Sequence, residues 1–118
     1  ATGSGPFVPP MFEAIRARLL VNDDVFAWDT LPRSVVVFGA GVIGLELGQA
    51  LHRLGVRVRI FGRGGAVGPL SDPAVKAAAR DAFQKELSLD PEARVRGVRL
   101  GGDGVLVELE DAEGTLHM

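Results

Sequence analysis

Cysteine is absent from the 118 residues, so the chain carries no disulfide framework, no thiolate zinc site and no thiol chemistry of its own. A basic excess is also lacking. The formal net charge is −2, which excludes the broad cationic surface that nucleic acid requires. No apolar run approaches the roughly twenty residues of a membrane span, and no signal peptide opens the sequence. A cytoplasmic location with no membrane partner is therefore expected. Histidine is scarce: His52 and His117 stand far apart and read as a helix-surface and a terminal residue, so no metal site is expected. The chain opens on Ala1, not Met, and an excised or processed piece of a longer protein is expected. What remains is 47% hydrophobic and 24% charged, the balance of a globular domain that buries about two-thirds of its unfolded surface.

The chain is organised around Ser34 to Gly48. Val35 to Phe38 read as a buried strand, and Gly39, Gly41 and Gly44 follow in a G-x-G-x-x-G spacing that opens a helical pattern. A strand before the glycines and a helix after them is the context in which this spacing holds a dinucleotide. Gly39 permits the tight turn, Gly41 lets backbone approach a pyrophosphate, and Gly44 lets helix and sheet pack closely. Ala40, Val42 and Ile43 would complete the cradle, whose free N–H groups and positive helix end would face the phosphates; the alternative is a glycine-rich turn of an α/β protein that binds nothing.

Val42, Ile43, Leu45, Leu47, Ala50, Leu51 and Leu54 predict a helix buried along much of its circumference, stopped by Gly55. Val56, Val58 and Ile60, alternating with Arg57 and Arg59, predict a second strand and complete one right-handed βαβ unit. Gly64 and Gly65 predict a small, mobile loop after it. Asp72 and Pro73 read as a helix cap and first turn, followed by an apolar face of Val75, Ala78, Ala79, Ala82, Phe83 and Leu87. From Ala93 onward the period is that of strands. Arg94 to Leu100, Val105 to Glu110 and Thr115 to the end, separated by glycine turns, predict a three-stranded antiparallel meander. Before the first strand, residues 1–10 form a Gly/Pro loop. Phe12, Ile15, Leu19 and Leu20 recur at helical spacing, and Asn22 and Asp23 look like caps of a short turn carrying Val25, Phe26 and Trp28.

The order of Ala1-Thr2-Gly3-Ser4, Leu31-Pro32 and Gly39 to Gly48 resembles the central NAD(P)-binding domain of the flavoprotein disulfide reductases, and within that group the dihydrolipoamide dehydrogenases. The likeness continues through Phe61-Gly62-Arg63, the Ser71-Asp72-Pro73 helix start and the meander, covering nearly the whole chain. It implies an α/β, Rossmann-like dinucleotide-binding domain over residues 34–118, with 1–33 as the segment leaving an FAD domain. Ala1, Thr2 and Gly3 would then lie at the flavin edge. The final strand that returns to the parallel sheet in the family is expected to be lacking from this piece. The resemblance also implies a parent oxidoreductase, a homodimer, whose FAD and dimerisation domains are this domain's partners. Its cysteine pair and its histidine–glutamate pair match nothing in this chain, so the piece alone is expected to be inactive.

By the same likeness Glu46 stands near the nicotinamide, where a carboxylate accepts a hydrogen bond from the carboxamide. The alternative is a glutamate favoured simply by the helix dipole. Val42 matches the residue that gates the nicotinamide pocket, and Val95 one that packs against the adenine. Ordinary packing explains each about as well. At the end of the second strand an NAD site wants an acid on the ribose, and Gly62 stands there instead. The loss costs about 1.5–3 kcal/mol of NAD affinity. Arg63 follows and suits a 2′-phosphate, or is a solvated loop residue. Gly44 and Gly48 both being glycine favours NAD, with NADP as the alternative. An NADPH-dependent disulfide or mercuric reductase type and a non-catalytic nucleotide-sensing module remain open as other functions.

Overall fold

A computed structural model describes residues 9–19, 24, 27–65, 67–102, 104–111, 113–114 and the backbone of 116–117. These form two compact units: Asp29–Ala93, and a second assembled from the chain on either side of it. Asn22, Asp23, Val25 and Phe26, read above as a capped turn, lie outside the described residues.

In the first unit the strands β1 (Ser34–Phe38), β2 (Arg57–Phe61) and β3 (Ser88–Asp90) form a parallel sheet in the order β1-β2-β3. Helices α1 (Val42–Arg53) and α2 (Pro73–Glu86) make the two crossovers. Central strand β2 pairs on both sides, Val37 with Ile60 and Ile60 with Leu89. Its Val58, Ile60 and Phe61 are buried while Arg57 and Arg59 stay exposed, as the alternation predicts. Leu45 and Leu51 of α1 and Leu87 and Leu89 near β3 complete this core. Each such side chain removed from water is worth about 1.5–3 kcal/mol. Gly55, at φ +95°, ends α1 and donates to the His52 carbonyl at 3.0 Å. Asp72 caps α2, its Oδ1 accepting from the N–H groups of Ala74 at 2.9 Å and Val75 at 3.0 Å.

Both helices are less buried than their composition suggests. Only Leu45, Gly48 and Leu51 of α1 are buried, whereas Val42 is 50% and Ile43 54% exposed. In α2 no residue is fully buried: Ala79 and Phe83 are half-covered and Val75, Ala78 and Ala82 are exposed. A helix laid on one face of a sheet covers one stripe only, whatever apolar residues lie beyond it.

The helices are clasped to each other by Glu86, which accepts from Arg53 Nε at 2.8 Å and from Gln49 Nε2 at 3.0 Å. Arg53 first, then Gln49, holds the Glu86 carboxyl below its usual value of 4.5. A depressed folded value means stability that is full above the unfolded value and lost as pH falls through the folded one. Glu86→Gln is therefore expected to lessen the fall in urea midpoint between neutral pH and about pH 3 relative to the unmodified protein. An equal fall in both would remove the clasp from the acid sensitivity.

In the second unit β4 (Arg94–Gly101) and β5 (Gly104–Glu110) form a long antiparallel pair, Leu100 opposite Val105 and Arg94 opposite Glu110. The expected three-stranded meander is corrected here. The chain has a parallel three-stranded sheet and a separate antiparallel pair, to which β6 (Leu116–His117) adds only two residue pairings. The stretch after Gly114 offers a single β-type apolar residue, Leu116, too little to build a full edge strand. A 3-10 helix, Pro10–Arg18, packs against β4 with Phe12 and Ile15 buried three residues apart. Arg94 and Arg96 both pair with Glu110 of the opposite strand. Among the described residues no helix is long and apolar enough to cross a membrane.

Candidate functional site

The chain passes from β1 to α1 through Gly39, Ala40 and Gly41. Gly39 takes φ +121°, a region L side chains avoid, and its N–H donates to the Phe61 carbonyl of β2 at 2.8 Å. The turn is thereby pinned to the strand beside it. At Gly44 a Cβ would strike the Gly39 carbonyl oxygen and lie 3.4 Å from Val37 Cγ1, so only glycine lets the first turn of α1 settle onto the end of β1. At Gly39 and Gly41 the reverse holds. A Cβ there would meet nothing within 4 Å, which leaves open space over the backbone. Gly41 precedes α1 without a side-chain cap, and no acidic residue lies in the first turn. The N–H groups of that turn and its positive dipole end face this space uncompensated.

The loop after β2 is stitched down by backbone, contrary to the mobility its glycines predict. Gly62 N–H donates to the Asp90 carbonyl at 2.7 Å, Gly65 to Pro91 at 2.9 Å and Gly68 to Ala40 at 2.7 Å. The last of these ties the loop to the glycine turn, and Val67 beside it is 1% exposed. Positive φ at Gly64, Gly65 and Gly68 makes the close course possible. Between α1, this loop and α2 lies a shallow groove of about 270 Å³. Val42, Leu45, Val67, Leu70 and Phe83 give it apolar walls, and Glu46 supplies its one charged side chain.

Gly39, Ala40, Gly41, Val42, Ile43, Gly44 and Glu46 thus share one turn and the start of one helix. Gly62 and Arg63 stand at the end of the neighbouring strand, Gly62 buried and Arg63 exposed. Val95 is a half-buried residue of β4, in the other compact unit. Ala1, Thr2 and Gly3 lie outside the described residues. Sequence reasoning missed the segment Asp90-Pro91-Glu92, which receives the loop's hydrogen bonds. An Asp-Pro pair after a single apolar residue was the available signal. Among the described residues no cluster of His, Asp or Glu could hold a metal ion.

Residues 1–116 match the family described as pyridine nucleotide-disulphide oxidoreductase. The chain belongs to that family. Within it, a mercuric reductase of Streptomyces lividans is 29% identical over 115 residues, 97% of this chain and 24% of that protein. A dihydrolipoyl dehydrogenase of a Synechocystis species is 30% identical over 112 residues, 94% of this chain and 24% of that protein. The crystal structure of LpdA from Mycobacterium tuberculosis superposes with a TM-score of 0.69 at 27% identity, over 98% of this chain and 25% of that one. This pyridine nucleotide-disulphide oxidoreductase chain therefore spans about a quarter of the length of these relatives.

Proposed function

We propose that the chain is the NAD(P)-binding domain of an FAD-dependent, dihydrolipoamide dehydrogenase-like oxidoreductase, with residues 1–33 leading from an FAD domain and 34–118 holding the nucleotide. The observation that carries this reading is the glycine turn itself. It is closed to a side chain at Gly44 and open at Gly39 and Gly41, over a helix end with no acid or cap to occupy its donors. That space suits a pyrophosphate, whose oxygens would accept from the first-turn N–H groups. Ala1, Thr2 and Gly3 would belong to the flavin edge, and Val95 would serve the adenine.

Glu46 in its apolar groove suits the nicotinamide carboxamide, and Val42 and Leu70 suit the ring's flat faces. A bound nicotinamide supplies hydride exchange with the flavin of the parent protein. What this chain's residues contribute is position: phosphates held at the start of α1 and the ring about one turn along it, at Glu46. The parent would be a cytoplasmic homodimer joined through other domains. Gly62 without an acid and Arg63 exposed beside it favour a second reading, an NADPH-using disulfide or mercuric reductase.

Saturation-transfer NMR of the full-length protein with NADH and with NADPH tests the proposal. Transfer to nicotinamide and adenine protons is expected for at least one of them. No transfer to either from a folded sample overturns it.

A further inference from the structure

The position that would carry the ribose acid is not merely vacant of an acid; it is closed. A Cβ at Gly62 would lie 2.8 Å from Pro91 Cα, 3.0 Å from the Pro91 carbonyl oxygen and 3.1 Å from Ala40 Cβ. Pro91 is itself among the most deeply buried residues. Any carboxylate serving the ribose has to come from elsewhere, and the hydrogen bonds that close Gly62 also bring one in. Gly62 and Gly65 donate to the carbonyls of Asp90 and Pro91, so the turn after β3 lies along the loop after β2. From that turn Glu92 reaches over the loop, with Oε1 3.4 Å from where a Gly65 Cβ would stand.

We infer that Glu92, supplied from the turn after β3, is the carboxylate that accepts the hydroxyls of the adenosine ribose and turns away a 2′-phosphate. The inference rests on the nucleotide reading above. Three details favour Glu92 over its neighbours. Asp90 is committed to the turn, its Oδ1 accepting from Glu92 N–H at 3.1 Å. The Glu92 oxygens are divided in use: Oε2 lies 3.6 Å from Arg80 Nη2 of α2, which leaves Oε1 toward the loop. Gly65, at φ +75°, keeps the path to Oε1 clear, where a side chain would be strained and would crowd the carboxylate. The Glu92 side chain is 65% exposed, open to a ligand from solvent.

The chemistry then selects by charge. An ionised carboxylate accepts two ribose hydroxyls but repels the added phosphate of NADPH. With Arg80 engaged by Glu92, the exposed Arg63 beside Gly62 would be left to offset that repulsion.

Calorimetric titration of the full-length protein with NADH and NADPH, unmodified and as Glu92→Gln, tests this. The variant is expected to bind NADH about tenfold more weakly, the scale of one charge-assisted hydrogen bond, and NADPH severalfold more tightly. Unchanged NADH affinity in the variant overturns the inference while leaving the nucleotide reading standing. Equal losses for both nucleotides also overturn it, because they mark a disturbed loop and not a lost ribose contact. Failure of the unmodified protein to bind either nucleotide overturns the nucleotide reading and this inference together.

Discussion

Gly44→Ala is expected to lower folding stability by about 2–4 kcal/mol and to abolish measurable nucleotide binding. The added methyl meets the Gly39 carbonyl oxygen, which is backbone and not the movable tip of a side chain. Gly39 is not free to retreat. It already sits at φ +121°, and its N–H is spent on the Phe61 carbonyl at 2.8 Å. Relief would require α1 to lift from β1, drawing Val42 to Gly44 away from the proposed phosphate position and opening the contact with Val37. Gly48→Ala is the control one turn further along. Its methyl would come 2.6 Å from Ile60 Cδ1, a side-chain end that can rotate, so a cost of about 1 kcal/mol with binding retained is expected. Urea denaturation and NADH titration of the two variants read both effects. A Gly44→Ala protein with an unchanged midpoint would show that the turn has slack its geometry does not suggest.

The parts of this site that depend on chain neighbours were legible in the sequence. The glycine spacing, the strand before it, the Gly55 stop and the Asp72 cap are local events, each decided within a few residues. Strand β3 was not legible, because Ser88-Leu89-Asp90 offers one apolar residue between two polar ones. It becomes a strand only by pairing with β2, a contact some thirty residues away that no local period announces. The loop from 62 to 70 failed for the same reason. Gly64 and Gly65 read as freedom, yet Gly62, Gly65 and Gly68 donate to carbonyls of distant segments and hold the loop down. In α1 the apolar residues at Val42 and Ile43 suggested burial along much of the helix, but they stand half in solvent at the candidate site. Excess apolar surface at a helix start marks the candidate site rather than a core.

Gly62→Asp would restore the acid that an NAD site usually has at the end of its second strand. In this chain it is expected to do the opposite of what that rule suggests, lowering stability by about 2–3 kcal/mol and weakening NADH. The clash falls on Pro91 Cα and the Pro91 carbonyl at 2.8 and 3.0 Å, both backbone atoms of a buried proline. Ala40 closes the other side at 3.1 Å, so the side chain cannot swing clear without disturbing the glycine turn. Moving Pro91 would also break the pairing of Gly62 N–H with Asp90 and of Gly65 N–H with Pro91, the two bonds that set Glu92 over the loop. The substitution would thus add one carboxylate in a place where it does not fit and displace the one that does. Urea denaturation together with NADH titration separates the outcomes. A Gly62→Asp protein of ordinary stability that binds NADH more tightly would mean that Pro91 yields readily, and that the ribose contact belongs to β2 after all. A destabilised protein with weakened NADH binding would show that a buried proline has taken the room of the usual acid, and the Glu92→Gln titration then decides whether the ribose contact lies on the turn after β3.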